Sequence, residues 1–307
     1  MRILVATDNL SDQINGVAVT FANLRDQCEA HGHTMDFICP SDFSYMSVPW
    51  YKEIKLALPI GFSAEGYDRV HIATEGPVGL AAKIYCDRRG ISYTSSYHTN
   101  FSAYLARYGI PRFLTNAYIK WFHAKSKKVL VPTSSVMKEL NWPHTIEWTR
   151  GAMWYDIPRE SGGYVLYVGR VSAEKNLDAL CCLNENIIIV GDGPDRARLE
   201  KKYTHVKFVG YKNGPELFSY YRNADVFAFP SRTDTFGIVI IEALSAGTPV
   251  AAYPVTGPID IVQNGVTGFL NEDLSTAILK CRELGRVEDR RWSWKNCWNI
   301  FEKATCC

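Results

Sequence analysis

Asp234 and Glu242 stand eight positions apart within Phe229-Pro-Ser-Arg-Thr-Asp-Thr-Phe-Gly-Ile-Val-Ile-Ile-Glu-Ala-Leu-Ser-Ala-Gly-Thr-Pro-Val-Ala-Ala252. The apolar run into Phe229 reads as the end of a strand. A polar loop carrying Asp234 follows, and then a helix that begins near Phe236 and carries Glu242 about two turns in. The first amides of a helix lack partners inside it, so Phe236-Gly237-Ile238 offers N–H groups to an anion. Gly237 has no Cβ and lets a phosphate approach the backbone. Glu242 lies on an otherwise apolar helix, where an unpaired carboxylate is costly. Two ways of satisfying it stay open: a bidentate grip on two ligand hydroxyls, or hydrogen bonds from backbone or an Arg within the fold.

Such residues need strand ends to hold them, and the chain supplies these twice. In the first half, short apolar runs at 3–6, 35–39, 67–72, 92–97 and 128–131 suit buried parallel strands. Val17, Phe21, Leu24 and Cys28 share one helix face, and further helices are expected over 78–89, 113–126 and 134–140. After the linker-like stretch 160–163 the pattern restarts, with strands at 164–168, 187–190, 206–210, 226–229, 249–252 and 268–270 and helices between them. This predicts an α/β fold of two Rossmann-like domains, 1–155 and 156–287, with a ligand cleft at their strand C-terminal ends. Trp292, Trp294, Trp298 and Phe301 suit a terminal helix over 288–307 packed back on the first domain.

Composition excludes other classes. The 307 residues carry 34 Lys+Arg against 32 Asp+Glu, a net charge of +2, with 47% hydrophobic residues, which is not the signature of disorder. No apolar stretch approaches the ~20 residues that cross a bilayer. Met1-Arg-Ile-Leu-Val-Ala-Thr-Asp reaches an acidic residue too early for a secretory signal. The nine Cys include the adjacent pairs Cys181-Cys182 and Cys306-Cys307 and no Cys-x-x-Cys, which reads as reduced thiols in a cytoplasmic protein without a zinc ribbon. The terminal pair reads as a loose tail rather than a lipidation site.

The segment from Asp234 to the Gly-x-Pro at 247–249 resembles the signature of the retaining glycosyltransferases of family 4, also called group 1 glycosyltransferases. These have the GT-B fold, in which two Rossmann-like domains face each other. Their signature is usually Glu-x7-Glu, and here Asp234 takes the place of the first Glu. The likeness runs through nearly the whole chain. Gly169-Arg170-Val-Ser-Ala-Glu-Lys175-Asn176-Leu is similar to the donor-phosphate motif, so Arg170 and Lys175 would be its two cations. A sugar leaving a nucleoside diphosphate adds about one negative charge to the diphosphate, and preorganised cations and amides stabilise it without a metal or other cofactor. Val190-Gly191-Asp192-Gly193-Pro194 resembles the turn after the family's second strand. Tyr211, after 206–210, resembles the base-binding edge.

In the first half, Asn15-Gly16-Val17 resembles the loop that meets donor phosphates or acceptor. The segments 73–79, 96–101 and 131–134 resemble three further site segments. They imply His98 beside the donor sugar, and Glu75, Asn100 and Thr133 on the acceptor side. From the residues alone, His98 reads first as structural, Glu75 is equally readable as structural, and Thr133 as a helix N-cap. The Asp of the family's Gly-Val-Asp is missing after Arg150, where the chain reads Gly151-Ala152-Met153.

From 88 to 138 there is no Asp or Glu, while Arg88, Arg89, Arg107, Arg112, Lys120, Lys125, Lys127, Lys128 and Lys138 are interleaved with aromatic residues. This predicts either a solvated face over core aromatics or a peripheral contact with an anionic membrane. No nucleic-acid motif accompanies it.

The resemblance implies a metal-independent hexosyltransferase. Its donor sugar is mannose or glucose, carried as GDP-mannose or UDP-glucose, and its acceptor a lipid or glycan. Glu242 would hold the ribose hydroxyls, Arg170 and Lys175 the diphosphate, and Asp234 with Thr235, Phe236, Gly237 and Ile238 the sugar and phosphate. The rivals are a non-catalytic sugar-nucleotide binder, a nucleotide-sugar epimerase, and a nicotinamide oxidoreductase. The last is disfavoured because no Gly-x-Gly-x-x-Gly follows either first strand.

Overall fold

The structure, a computed structural model, describes residues 1–9, 16–48, 51–98, 111–160, 162–234, 236–287, 289 and 291–306. The chain divides into two compact units, Met1–Arg150 with Trp294–Cys307, and Gly151–Ser293. The expected boundary at 155/156 falls inside the second.

Unit 1 contains β1 (Arg2–Ala6), α1 (Gly16–Ala30), β2 (Thr34–Ile38), β3 (Ser44–Val48), β4 (Tyr51–Leu58), β5 (Arg69–Ile72), α2 (Pro77–Arg89), β6 (Tyr93–Ser96), α3 (Arg112–His123), β7 (Val129–Val131), α4 (Ser134–Leu140) and β8 (Thr145–Glu147). Six strands form one parallel sheet in the order β2-β1-β5-β6-β7-β8. Alternation along β1 serves both faces. Ile3 and Val5 pack with Phe21, Leu24 and Cys28 of α1, and Leu4 and Ala6 with Val78, Ala82 and Cys86 of α2. The C-terminal helix Trp294–Cys306 joins the α1 side, where Trp298 and Phe301 are fully buried and the Trp148 indole donates to the Cys297 carbonyl at 3.0 Å. The antiparallel hairpin β3–β4, absent from the sequence reading, stands apart from this sheet.

Unit 2 contains β9 (Val165–Val168), α5 (Asp178–Cys181), β10 (Ile187–Val190), α6 (Arg196–Lys202), β11 (Lys207–Gly210), α7 (Gly214–Asn223), β12 (Val226–Phe229), α8 (Ile238–Ser245), β13 (Val250–Ala252), α9 (Pro258–Ile261), β14 (Gly268–Leu270) and α10 (Leu274–Leu284). Its sheet is parallel throughout, in the order β11-β10-β9-β12-β13-β14. The winding direction reverses between β9 and β12. Loops leaving the C-terminal ends of such a strand pair diverge to opposite sides and open a crevice there.

Two features of the sequence acquire their reasons here. A Cβ on Gly191 would lie 1.9 Å from the Gly169 carbonyl oxygen, and one on Gly193 would lie 2.3 Å from that of Val171. The Gly-Asp-Gly turn is therefore a close approach of the loops after β9 and β10. Helix α8 begins at Ile238, later than the expected Phe236, because Gly237 at its N-cap is left-handed with φ 89°. Glu242 accordingly stands in the second turn rather than two turns in. Among the described residues no helix is long and apolar enough to cross a membrane.

Candidate functional site

The loops after β9 and β12 carry most of the candidate donor residues and are tied together. The Tyr167 hydroxyl, rooted in the core, donates to the Arg170 carbonyl at 3.0 Å and anchors the first loop. A single 3-10 turn, Ala173–Lys175, ends at Asn176, which takes a left-handed φ of 55°. The Asn176 amide then donates to the Pro230 carbonyl at 3.1 Å, across to the β12 loop. Lys175 reaches the same loop, with Nζ 2.6 Å from Asp234 Oδ1 and both side chains about one-fifth exposed (22% and 23%).

This bridge leaves polar groups over. Asp234 Oδ2 and Ser231 Oγ are buried, and neither has a hydrogen-bond partner among the described residues. Buried orphans are rare in a finished interior, and two of them on one loop mark a place where a ligand or water completes the bonding. Asp234 and Phe236 rest their carbonyls against Gly257, whose Cβ would come within 3.1 Å and 2.9 Å of them. Phe236 itself is buried edge-on to Trp292, at 6.0 Å between centroids. Thr235 lies outside the described residues.

Glu242 Oε2 accepts from the Tyr221 hydroxyl at 2.8 Å. Among the described residues neither backbone nor Arg satisfies this carboxylate, and the Tyr221 hydroxyl does so instead. Burial pushes its carboxyl up from the ordinary Glu value, and the Tyr221 bond only partly opposes that. Tyr221 was not singled out from the sequence. The signal was weak, an aromatic residue on the core face of α7 with nothing local to say that its hydroxyl meets Glu242. Replacing Tyr221 by Phe removes the bond that lowers the Glu242 carboxyl and should raise that carboxyl further, which a carboxyl-carbon NMR titration of the two proteins reads. Tyr211 is half exposed just past β11, and Ile238 opens α8 partly buried.

In unit 1 the structure separates the remaining candidates. Gly16 is the exposed first residue of α1. His98 follows β6, with Nε2 2.8 Å from Ser96 Oγ and Nδ1 2.9 Å from Arg150 Nη2. Burial, and then the Arg150 charge, hold its ring well below the usual histidine range. Glu75 is buried, its Oε1 3.2 Å from His123 Nε2, and burial raises its carboxyl against the opposing His123 bond. Thr133 takes the helix-capping alternative and accepts from the Val136 amide at 3.3 Å. Asp8, unremarked in the sequence, caps α2 by accepting from the Val78 amide at 2.8 Å and the Thr74 hydroxyl at 2.7 Å. Asn100 lies outside the described residues.

Two family models match the chain, Glycosyltransferase Family 4 over residues 14–155 and Glycosyl transferases group 1 over 157–279. The chain belongs to this family of glycosyltransferases. It is 27% identical to a GDP-mannose-dependent alpha-mannosyltransferase of Mycobacterium tuberculosis, over 88% of this chain and 83% of that protein. It is 24% identical to the alpha-monoglucosyldiacylglycerol synthase of Streptococcus pneumoniae, over 91% of this chain and 78% of that protein. Among solved structures, Anabaena HepE in complex with UDP and glucose superposes with a TM-score of 0.69 at 18% identity, covering 99% of this chain and 94% of that one. The paired Rossmann-like architecture is thus the GT-B fold class.

Proposed function

We propose that this glycosyltransferase moves a hexose from a nucleoside diphosphate sugar, GDP-mannose or UDP-glucose, to a lipid or glycan acceptor, with retention and without a metal. The observation that carries the reading is that Arg170, Lys175, Asp234, whose Oδ2 has no partner among the described residues, and the start of α8 all follow β9 and β12, where the winding reverses. Arg170 and Lys175 hold the diphosphate and take up the charge that develops as it leaves. Glu242, with Oε2 already oriented by Tyr221, accepts the ribose hydroxyls. Asp234 steadies Lys175 through Oδ1 and turns Oδ2 to the sugar.

In the transfer, the bond from the anomeric carbon to the diphosphate oxygen breaks and a bond to the acceptor hydroxyl oxygen forms. The hydroxyl proton passes to the departing diphosphate on the same face of the sugar. The names of the two curated relatives support mannose and glucose as the sugars. Calorimetry with GDP, UDP and ADP in EDTA, followed by turnover with the matching sugar nucleotides, tests the reading. Tight binding of one diphosphate with transfer in EDTA is expected. Binding without turnover would make the protein a sugar-nucleotide binder, turnover without an acceptor an epimerase, and no binding would overturn the donor site.

A peripheral, cytoplasm-facing contact with an anionic membrane belongs to the same reading. Helix α3 exposes Phe113, Leu114 and Trp121 beside Arg112 and Lys120, an apolar ridge with cations at its edge. Part of the basic stretch, 99–110, lies outside the described residues, and Lys125 is drawn to Asp87 at 3.6 Å. Vesicles containing phosphatidylglycerol should sediment the protein at low salt. A Trp121→Ala, Lys120→Ala double variant should bind roughly 100-fold more weakly, at about 1 kcal/mol for the cation plus about 1.5–2 kcal/mol for the lost aromatic. Equal binding to neutral vesicles would remove the proposal.

A further inference from the structure

The family resemblance implies His98 beside the donor sugar, and the structure gives both of its ring nitrogens partners within the fold. Nδ1 faces Arg150 Nη2 at 2.9 Å, and a guanidinium only donates, so Nδ1 must carry a lone pair. The ring is neutral only with its proton on Nε2, which then donates to Ser96 Oγ at 2.8 Å. The Ser96 hydroxyl in turn donates a hydrogen bond to the Ala73 carbonyl at 3.3 Å or to His71 Nε2 at 3.1 Å, and the Thr94 hydroxyl meets His71 Nδ1 at 2.9 Å. The chain runs from Arg150 through His98 and Ser96 into the interior of the sheet.

Arg150 is placed to enforce this. It is buried, its Nη1 donates to the Trp148 carbonyl at 2.6 Å, and its guanidinium stacks 3.9 Å over the Trp148 ring. The His98 ring is edged by Phe21 from α1 at 5.9 Å and by Trp148 at 5.9 Å, so it has little room to turn. Among the described residues the charged and titratable groups acting on it include Arg150, His71 and His123, and each of these opposes a second proton.

We infer that Arg150 is a positioning residue that locks His98 as the neutral Nε2–H tautomer, so that His98 serves the transfer as a fixed neutral ring and not as a proton acceptor. The functional half of this rests on the glycosyltransferase reading, and the tautomer does not. The full chain labelled with ¹⁵N-histidine, in a long-range ¹H–¹⁵N correlation at pH 7, reads it directly, with His98→Gln assigning the signal. The expected pattern is a protonated Nε2 and a bare Nδ1. Arg150→Met should collapse it toward an average of both tautomers, and Arg150→Lys, which still donates, should restore it.

Turnover should follow the tautomer. In Arg150→Met kcat falls roughly 10- to 100-fold, the scale of a misplaced group, while the dissociation constant for the nucleoside diphosphate stays unchanged. A wild-type ring protonated at Nδ1 or at both nitrogens would overturn the inference even if Arg150→Met failed to fold. So would an unaltered spectrum in a folded Arg150→Met. A wild type that shows the expected tautomer but no turnover would instead sink the glycosyltransferase reading.

Discussion

In the proposed donor site, Glu242→Gln is expected to raise the melting temperature of the protein and at the same time to remove its affinity for nucleoside diphosphates. The two effects have opposite signs because one charge serves the ligand at the expense of the unliganded fold. Burial raises the Glu242 carboxyl above its ordinary value. A group raised on folding is stabilising while protonated, and that contribution is lost as pH rises through its folded pKa. Once ionised, the side chain is therefore a net cost to the fold, and Gln keeps its size and an acceptor for Tyr221 while deleting the charge.

Binding moves the other way. A carboxylate that accepts two ribose hydroxyls makes two charge-assisted hydrogen bonds, together about 3–6 kcal/mol. An amide can accept with one atom only, so a loss of roughly 100-fold or more in affinity is expected. The same sign governs pH. Affinity of the wild type should decline on acidification earlier than an exposed Glu would allow, since protonation removes the acceptor. Differential scanning calorimetry without ligand and titration calorimetry with it separate the two signs. A variant that melts lower and binds as before would show Glu242 to be a structural carboxylate.

Arg170 and Lys175 should give the largest loss of rate. Removing one preorganised group that stabilises developing negative charge costs about 10²–10³ in kcat, and Arg170→Met with Lys175→Met together should cost at least the upper figure. Affinity for the nucleoside without phosphates should stay intact in these variants, whereas Glu242→Gln loses it, so the pair of titrations divides the site into a ribose end and a phosphate end.

Lys175 needs its own control. Its loss strands Asp234 Oδ1, on a carboxylate whose Oδ2 already lacks a partner among the described residues. Lys175→Met alone should destabilise the protein by about 1–3 kcal/mol, and Lys175→Met with Asp234→Asn should recover most of that while leaving kcat low. Recovery of kcat along with stability would mean that the pair is only a brace between two loops.

Much of the architecture was legible because parallel strands buried on both faces are written as short continuous apolar runs, such as Ile187–Val190, separated by amphipathic stretches. The hairpin β3–β4 escaped because its large apolar residues Met46, Leu56 and Leu58 are exposed while the small Ala57 is buried, so apolar size does not track burial there. The start of α8 was placed early because Phe236 is apolar enough to read as helix, while its actual task is packing against Trp292.

By itself the sequence determined the kinds of group available and their order. A Gly-rich turn, a pair of cations and two carboxylates eight apart each follow a strand end, and strand ends are set by local periodicity and by glycine. Only the tertiary structure decided which groups face each other. It brought Lys175 to Asp234, Asn176 to Pro230, Tyr221 to Glu242 and Arg150 to His98, and it carried the terminal helix back to α1. Each of these pairings joins residues at least 21 positions apart. They are selected by which buried polar atom must find a partner once the sheets and helices have closed around it, and no local pattern in a chain encodes that choice.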